Sequence, residues 1–163
     1  MGNKALVVID LQNDITKNYK EIIEKVNIAI DWAVENELKV IYIKHNNLSD
    51  GVKTFKPGTH GVEFVTEMKV VSNNIFTKSK SNALTSEEFL SFIKGNDINE
   101  FYIVGADAAA CIKSTCFNMA KSGYTIYVLS DCITSYDKKK IPEMLKYYES
   151  KGCIVMTLSK IIK

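Results

Sequence analysis

Residues Phe101–Asp131 read FYIVGADAAACIKSTCFNMAKSGYTIYVLSD. Phe101 to Val104 is a short apolar run rich in aromatic and β-branched residues, followed by a glycine, then small and acidic residues, then an amphipathic segment that opens at Cys111. From there Ile112, Cys116, Met119 and Ala120 fall on one helical face, and Gly123 is placed to stop the helix before the next apolar run, Thr125 to Leu129. The stretch therefore predicts a strand, a tight turn, a helix and a second strand, with a thiol at the turn. A helix start favours an anion, because its first N–H groups lack internal partners and carry the positive end of the dipole. That position would push a thiol of ordinary pKa, about 8.5, toward thiolate, the nucleophilic form. Taken alone, Cys111 reads sooner as a small apolar residue, since free cysteine is among the most buried residue types.

Working outward, the chain has 163 residues with 46% hydrophobic content, enough for a single domain spanning 1–163 and too short for two comfortable ones. The longest apolar runs are strand-sized, and no charged segment precedes an apolar one at the N-terminus, so neither a membrane span nor a signal peptide is expected and the location expected is cytoplasmic. The cysteines Cys111, Cys116, Cys132 and Cys153 fit no CxxC zinc spacing and are expected to be reduced. All 21 basic residues are lysine and the net charge is +2. Without the forked guanidinium that grips phosphates and base edges, nucleic acid is not an expected partner.

Ala5 to Ile9 is a continuous apolar run of the kind expected in a strand buried on both faces, and it delivers Asp10 to the C-terminal end where ligand sites of open α/β sheets lie. No glycine-rich phosphate loop follows. Asn18 and Glu21 resemble a helix start, with Ile22, Val26, Ala29, Ile30 and Ala33 as the core stripe; Lys39 to Ile43 is a second strand. Periodicity is lost from about residue 45 to 61, an excursion of a length that is usually functional and is read here as a lid or pocket wall. His45 and His60 flank it and are expected on the surface or the pocket wall; two isolated histidines with Asp50 make a thin zinc set, and a Cys-His pair with Cys111 is the lesser alternative.

A third strand, Asn74 to Thr77, ends at Lys78. Thr85, with Glu88 completing a capping box and Leu84 stapling onto Phe89, starts a helix that Gly95 ends. After the fifth strand, which Asp131 ends, Ser135 to Lys140 reads as an exposed loop, Pro142 sits in a helix's first turn, and Cys153 to Met156 is a sixth strand. Packing roles are expected for Cys132 and Cys153. Strands alternating with helices give a three-layer αβα sandwich with a six-stranded, mostly parallel, doubly wound sheet.

The chain resembles the isochorismatase-like cysteine hydrolases, the group that includes nicotinamidases and N-carbamoylsarcosine amidohydrolases. The residues that carry this are ALVVIDLQND around Asp10, PGTHGVEF after the excursion, FTKSKSNALTSEEF around Lys78, and IVGADAAACIKST with GYTIYVLSD around Cys111. The resemblance implies Asp10 as acid/base, Lys78 as the family's lysine and Cys111 as nucleophile. It also implies a non-proline cis peptide between Ala106 and Asp107 and an oxyanion hole made by the backbone N–H groups of Asp107 and Cys111. Gln12, Leu48, Phe55 and Leu84 are the candidate substrate-pocket residues.

A cysteine at this place points to cleavage of a C–N amide-type bond in a small molecule through a thioester, with no cofactor. Nicotinamidases carry an Asp-x-His metal motif after the second strand where this chain has Lys44-His45-Asn46-Asn47, which argues against nicotinamide and against a metal. Relatives imply a homo-oligomer, a dimer or tetramer. Two other readings stand beside this one: a thiol redox or sensor protein using Cys116 or Cys132 as resolving thiol, and a small-molecule binder without turnover on the same fold.

Overall fold

The structure, a computed structural model, describes residues 3–162, the side chains of residues 16–18 excepted. Six strands form one sheet: β1 (Lys4–Ile9), β2 (Lys39–His45), β3 (Ile75–Lys78), β4 (Glu100–Ala106), β5 (Thr125–Thr134) and β6 (Ile154–Met156). Their order is β3-β2-β1-β4-β5-β6 and every pairing is parallel. The expected mostly parallel sheet is thus wholly parallel. The chain winds one way from β1 to β3 and the other way from β4 to β6, so the crevice of this α/β sheet opens at the C-terminal ends of β1 and β4.

Helices cover both faces. Successive residues of a strand point to opposite sides, and β1 shows it: Ala5, Val7 and Ile9 join one core cluster, Leu6 and Val8 the other. The first cluster is closed by α3 (Glu87–Gly95), α4 (Cys111–Lys121) and α5 (Ile141–Ser150) through Phe89, Ile93, Ile112, Met119 and Tyr148. The second is closed by α1 (Asn13–Tyr19), α2 (Ile23–Glu35) and α6 (Leu158–Ile161). Each fully buried Ile or Leu among them contributes about 1.5–3 kcal/mol. No helix among the described residues is long and apolar enough to cross a membrane.

Several local expectations shift. The first helical stretch begins at Asn13, not Asn18, and a 3-10 turn, Lys20–Ile22, separates it from α2; the Asn18 side chain lies outside the described residues. Ser86, not Thr85, caps α3 by accepting from Phe89 N–H at 3.3 Å, while the Thr85 hydroxyl donates to Asn82 O. Strand β5 runs past Asp131 to Thr134, with a shift of register against β4 between Ile103 and Gly105. Gly105 has φ +120°, and a Cβ there would stand 2.2 Å from Ile9 O, so only glycine lets β4 pass β1 this closely. Cys132 and Cys153 are buried in the core as expected.

Candidate active site

Four adjacent strands, β3, β2, β1 and β4, each deliver one polar side chain to the C-terminal edge: Lys78, His45, Asp10 and, one turn beyond its strand, Cys111. Lys78 and His45 are register partners on the last rung between β2 and β3. Lys78 Nζ lies 2.9 Å from His45 Nδ1, 3.2 Å from Asp10 Oδ2 and 3.3 Å from Cys111 Sγ. The Lys78 and Asp10 side chains are 0% and 3% exposed, which makes this a buried ion pair. Asp10 itself has φ +56°, a left-handed conformation that Asp tolerates better than most residues, and its backbone is held by Ile43 O and Gln12 N–H.

Burial governs protonation here. Desolvation raises the Asp10 carboxyl above its ordinary value even though Lys78 pulls it down. Desolvation and then the charge of Asp10 push the Cys111 thiol up to about 12, with Lys78 opposing them. The position at the first residue of α4 is as expected, but the thiolate expected there is not the resting form. Loss of water and a carboxylate within 4.8 Å outweigh the helix dipole and the ammonium. Asp10 Oδ1 is buried with no hydrogen-bond partner among the described residues. The site therefore rests as a thiol set against the Asp10 carboxyl group.

The turn ahead of the thiol is pinned from several sides. The Ala106–Asp107 peptide is cis. The Asp107 carboxylate accepts from Tyr19 Oη (2.6 Å), Ser135 Oγ (2.6 Å), Ala109 N–H (2.8 Å) and Tyr136 N–H (2.9 Å). Burial alone would raise its pKa, but these donors hold it below the ordinary value. Ser135, expected in an exposed loop, is 1% exposed because its hydroxyl serves this carboxylate. Tyr148 Oη donates to Ala108 O from the α5 side. Ala108 N–H goes to Thr134 O, while Ala110 and Ile112 N–H go to Asp107 O. Among the described residues nothing accepts from the N–H groups of Asp107 and Cys111.

Gln12, expected on the pocket wall, is fully buried and serves as a clamp instead. Its Nε2 donates to His45 O (3.0 Å) and Val62 O (2.8 Å), and its Oε1 accepts from His45 N–H (2.9 Å). Asn13 donates to His60 O, and Asp14 accepts from Phe55 N–H, so three consecutive residues tie the excursion down onto the end of β1. Phe55 meets the His45 ring edge-on at 5.6 Å. Leu48 is 68% exposed, on the rim of a cavity of about 390 Å³ that reaches Thr77, Lys78 and Lys80 but neither Asp10 nor Cys111. Leu84 packs against the first core cluster. His60 is exposed, whereas His45, expected first as a surface or pocket-wall histidine, stands inside the cluster. Applying to β2 the strand-end rule that singled out Asp10 and Lys78 would have found it.

One group of metal-ligating side chains has workable spacing among the described residues: Asp10, His45 and Cys111, whose donor atoms lie within 4.8 Å of one another. The Lys78 ammonium is 2.9–3.3 Å from an atom of each, so a positive charge that belongs to the chain already fills the place a cation would take. These donors do not fit a divalent metal.

Residues 4–160 match the model of the isochorismatase domain family. A protein of Arabidopsis thaliana named as a probable inactive nicotinamidase is 25% identical, with 79% of each chain covered. Among solved structures, an isochorismatase family protein from Desulfovibrio vulgaris superposes with a TM-score of 0.90 at 14% identity, covering 99% of this chain and 97% of that one. The pyrazinamidase of Pyrococcus horikoshii, solved in complex with zinc, gives 0.87 at 20% identity, covering 96% and 99%. The structural likenesses speak for the fold; the family model, matched over nearly the whole length, shows that the chain belongs to the isochorismatase family.

Proposed function

We propose that this protein is a cysteine hydrolase that cleaves a C–N amide-type bond of a small molecule through a thioester. One observation carries the reading: Lys78 Nζ bridges the Asp10 carboxylate and the Cys111 sulfur in a buried site, with the second oxygen of Asp10 left open. With its pKa pushed up to about 12, the thiol needs a base at the moment of attack. Asp10 takes the proton while Sγ bonds to the carbonyl carbon, and Lys78 offsets the charge on the sulfur. The carbonyl oxygen gains the electron pair and is met by the N–H groups of Asp107 and Cys111; losing one such donor typically costs about 2.7–4 kcal/mol of barrier. The tetrahedral intermediate collapses, the C–N bond breaks, and the proton on Asp10 leaves with ammonia or an amine. Asp10, a carboxylate again, draws a proton from water, whose oxygen displaces the thiolate from the acyl carbon to give the acid, and returns that proton to sulfur.

An ammonia-release screen over small primary amides and ureido compounds, with Cys111→Ala as the blank, tests this. A poor substrate should leave its acyl mass on the peptide carrying Cys111, and the alanine variant should lose at least about 10⁴-fold in turnover. Undiminished turnover by Cys111→Ala would sink the reading. A second reading, a binder without turnover, is favoured by the high thiol pKa. Ligand binding without ammonia release, and without an acyl mass on Cys111, would select it.

A further inference from the structure

The reaction scheme leaves His45 unused, yet its Nδ1 makes the shortest contact of Lys78 Nζ, 2.9 Å against 3.2 and 3.3 Å. An ammonium has three N–H donors and no acceptor. Asp10, Cys111 and His45 account for all three, and the Lys78 side chain is 0% exposed, so none is spent on bulk water. Nδ1 can accept only when it carries no proton, which fixes the ring as the neutral tautomer with hydrogen on Nε2. The ring is itself held in place. Gln12 grips both the backbone N–H and C=O of His45, and Phe55 stands edge-on to the imidazole.

We propose that His45 is a positioning residue: its neutral imidazole takes one donor of Lys78 and thereby aims the other two at Asp10 and Cys111. Protonation of the ring would remove the acceptor and set a second cation against the ammonium, releasing Lys78 from the sulfur. The groups facing the ring are Lys78 from β3, Asp10 from the turn after β1 and Cys111 from the start of α4. The neighbouring charge, Lys44, is engaged with Glu63 at 3.3 Å. Burial and then Lys78 hold His45 below its ordinary value, with Asp10 opposing, so the neutral form prevails at physiological pH. Acid then stops the site through His45 as well as through Asp10.

The kinetic part of this proposal rests on the hydrolase reading; the rest does not. The chain has two histidines, so ¹⁵N-histidine spectra contain His45 and His60 only, and the exposed His60 serves as an internal reference. Expected are an unprotonated Nδ1 and a titration midpoint below that of an ordinary histidine, moving up in Lys78→Met as the ammonium is removed. An Nδ1-protonated tautomer, or the same midpoint in a folded Lys78→Met variant, would overturn the proposal.

Alkylation of Cys111 by iodoacetamide at pH 8 is a second measurement that needs no substrate. His45→Ala should slow it about tenfold, the effect of weakening one opposite charge beside the thiolate. His45→Asn, whose amide oxygen can stand where Nδ1 does, should stay near the wild-type rate. An unslowed His45→Ala also overturns the proposal. With a substrate in hand, His45→Asn should keep its neutral-pH kcat/KM and lose the His45 contribution to the acid limb, which then follows one titrating group, Asp10, instead of two. Failure of the substrate screen would remove this last readout and the hydrolase reading, and would leave the spectra and the alkylation rates to decide the role of His45.

Discussion

Asp10 and Asp107 each follow the last residue of a strand, β1 and its neighbour β4, and the fold treats them in opposite ways. Asp107 has a donor for every direction it can accept from: two hydroxyls, Tyr19 and Ser135, and two backbone N–H groups, those of Ala109 and Tyr136. Its pKa is held down. Asp10 has Lys78 on one oxygen and nothing among the described residues on the other, and its pKa is raised. A carboxylate with every lone pair engaged is an anchor with no reason to take a proton. One that is buried and under-solvated holds its charge at a cost, and is therefore able to accept a proton from a neighbouring thiol and give it up again.

The largest effect that would break this contrast is at Asp10. Asp10→Asn should reduce turnover by about 10²–10⁴-fold, the range for loss of a positioned acid/base. Its stability should move the other way. A carboxyl whose folded pKa lies above its unfolded value is favoured in the fold when protonated, so its contribution to stability declines as pH rises through the two pKa values. Wherever the carboxyl is ionised, the cost of burying its charge is present, and a permanently neutral isostere escapes it. Urea unfolding at pH 7 should find Asp10→Asn at least as stable as the wild type; a clear loss of stability would mean that the Lys78 pair outweighs burial after all.

Asp107→Asn should do the reverse. An amide cannot accept from all four donors, and its NH₂ faces groups that were donating. The loss should be about 2 kcal/mol, toward the lower end for bonds to a charged group because the residue is half-buried. Here the folded pKa is depressed, so the stabilisation is present above the unfolded carboxyl value, about 3.9, and is lost as pH falls through the lower folded value. The gap between wild type and Asp107→Asn should thus be full at pH 7 and shrink below about pH 4, as read from unfolding curves at a series of pH values.

How these two aspartates differ was only half legible in the sequence. Order and type of the strands followed from apolar runs such as Ala5–Ile9, and the strand-end position drew attention to Asp10 and Lys78. Sequence spacing cannot say what burial does to a charge, so the helix-start argument predicted a thiolate at Cys111 where desolvation and Asp10 keep a thiol. His45 reads from the sequence as a surface or pocket-wall histidine because its contact depends on Lys78, 33 residues away, arriving on the adjacent strand in register. The donors of Asp107 were hidden for the same reason: Tyr19 sits in α1 and Ser135 just past β5, and a serine beside a lysine run reads as solvent-facing until the turn it supports is known. Gln12, a candidate pocket residue from the sequence, has its amide bonded to the backbone of His45 and Val62, because the excursion folds back over it.

The smallest effect belongs to Ser135, and it is the sharpest test of whether the anchor is only an anchor. Ser135→Ala removes one of the two donors to Asp107 Oδ1 and leaves the other, Ala109 N–H at 2.8 Å, in place. No buried donor is orphaned, because the hydroxyl itself is gone, and Oδ2 keeps both Tyr19 and Tyr136. The cost should therefore be that of a single hydrogen bond, about 1 kcal/mol in urea unfolding. If the turn needs Asp107 only to stay where it is, three remaining donors suffice, and kcat/KM should fall by less than about tenfold. A loss comparable to that of Asp10→Asn, with stability nearly unchanged, would show instead that proton affinity at Asp107 is felt at the sulfur, and the division of labour between the two carboxylates would have to be abandoned.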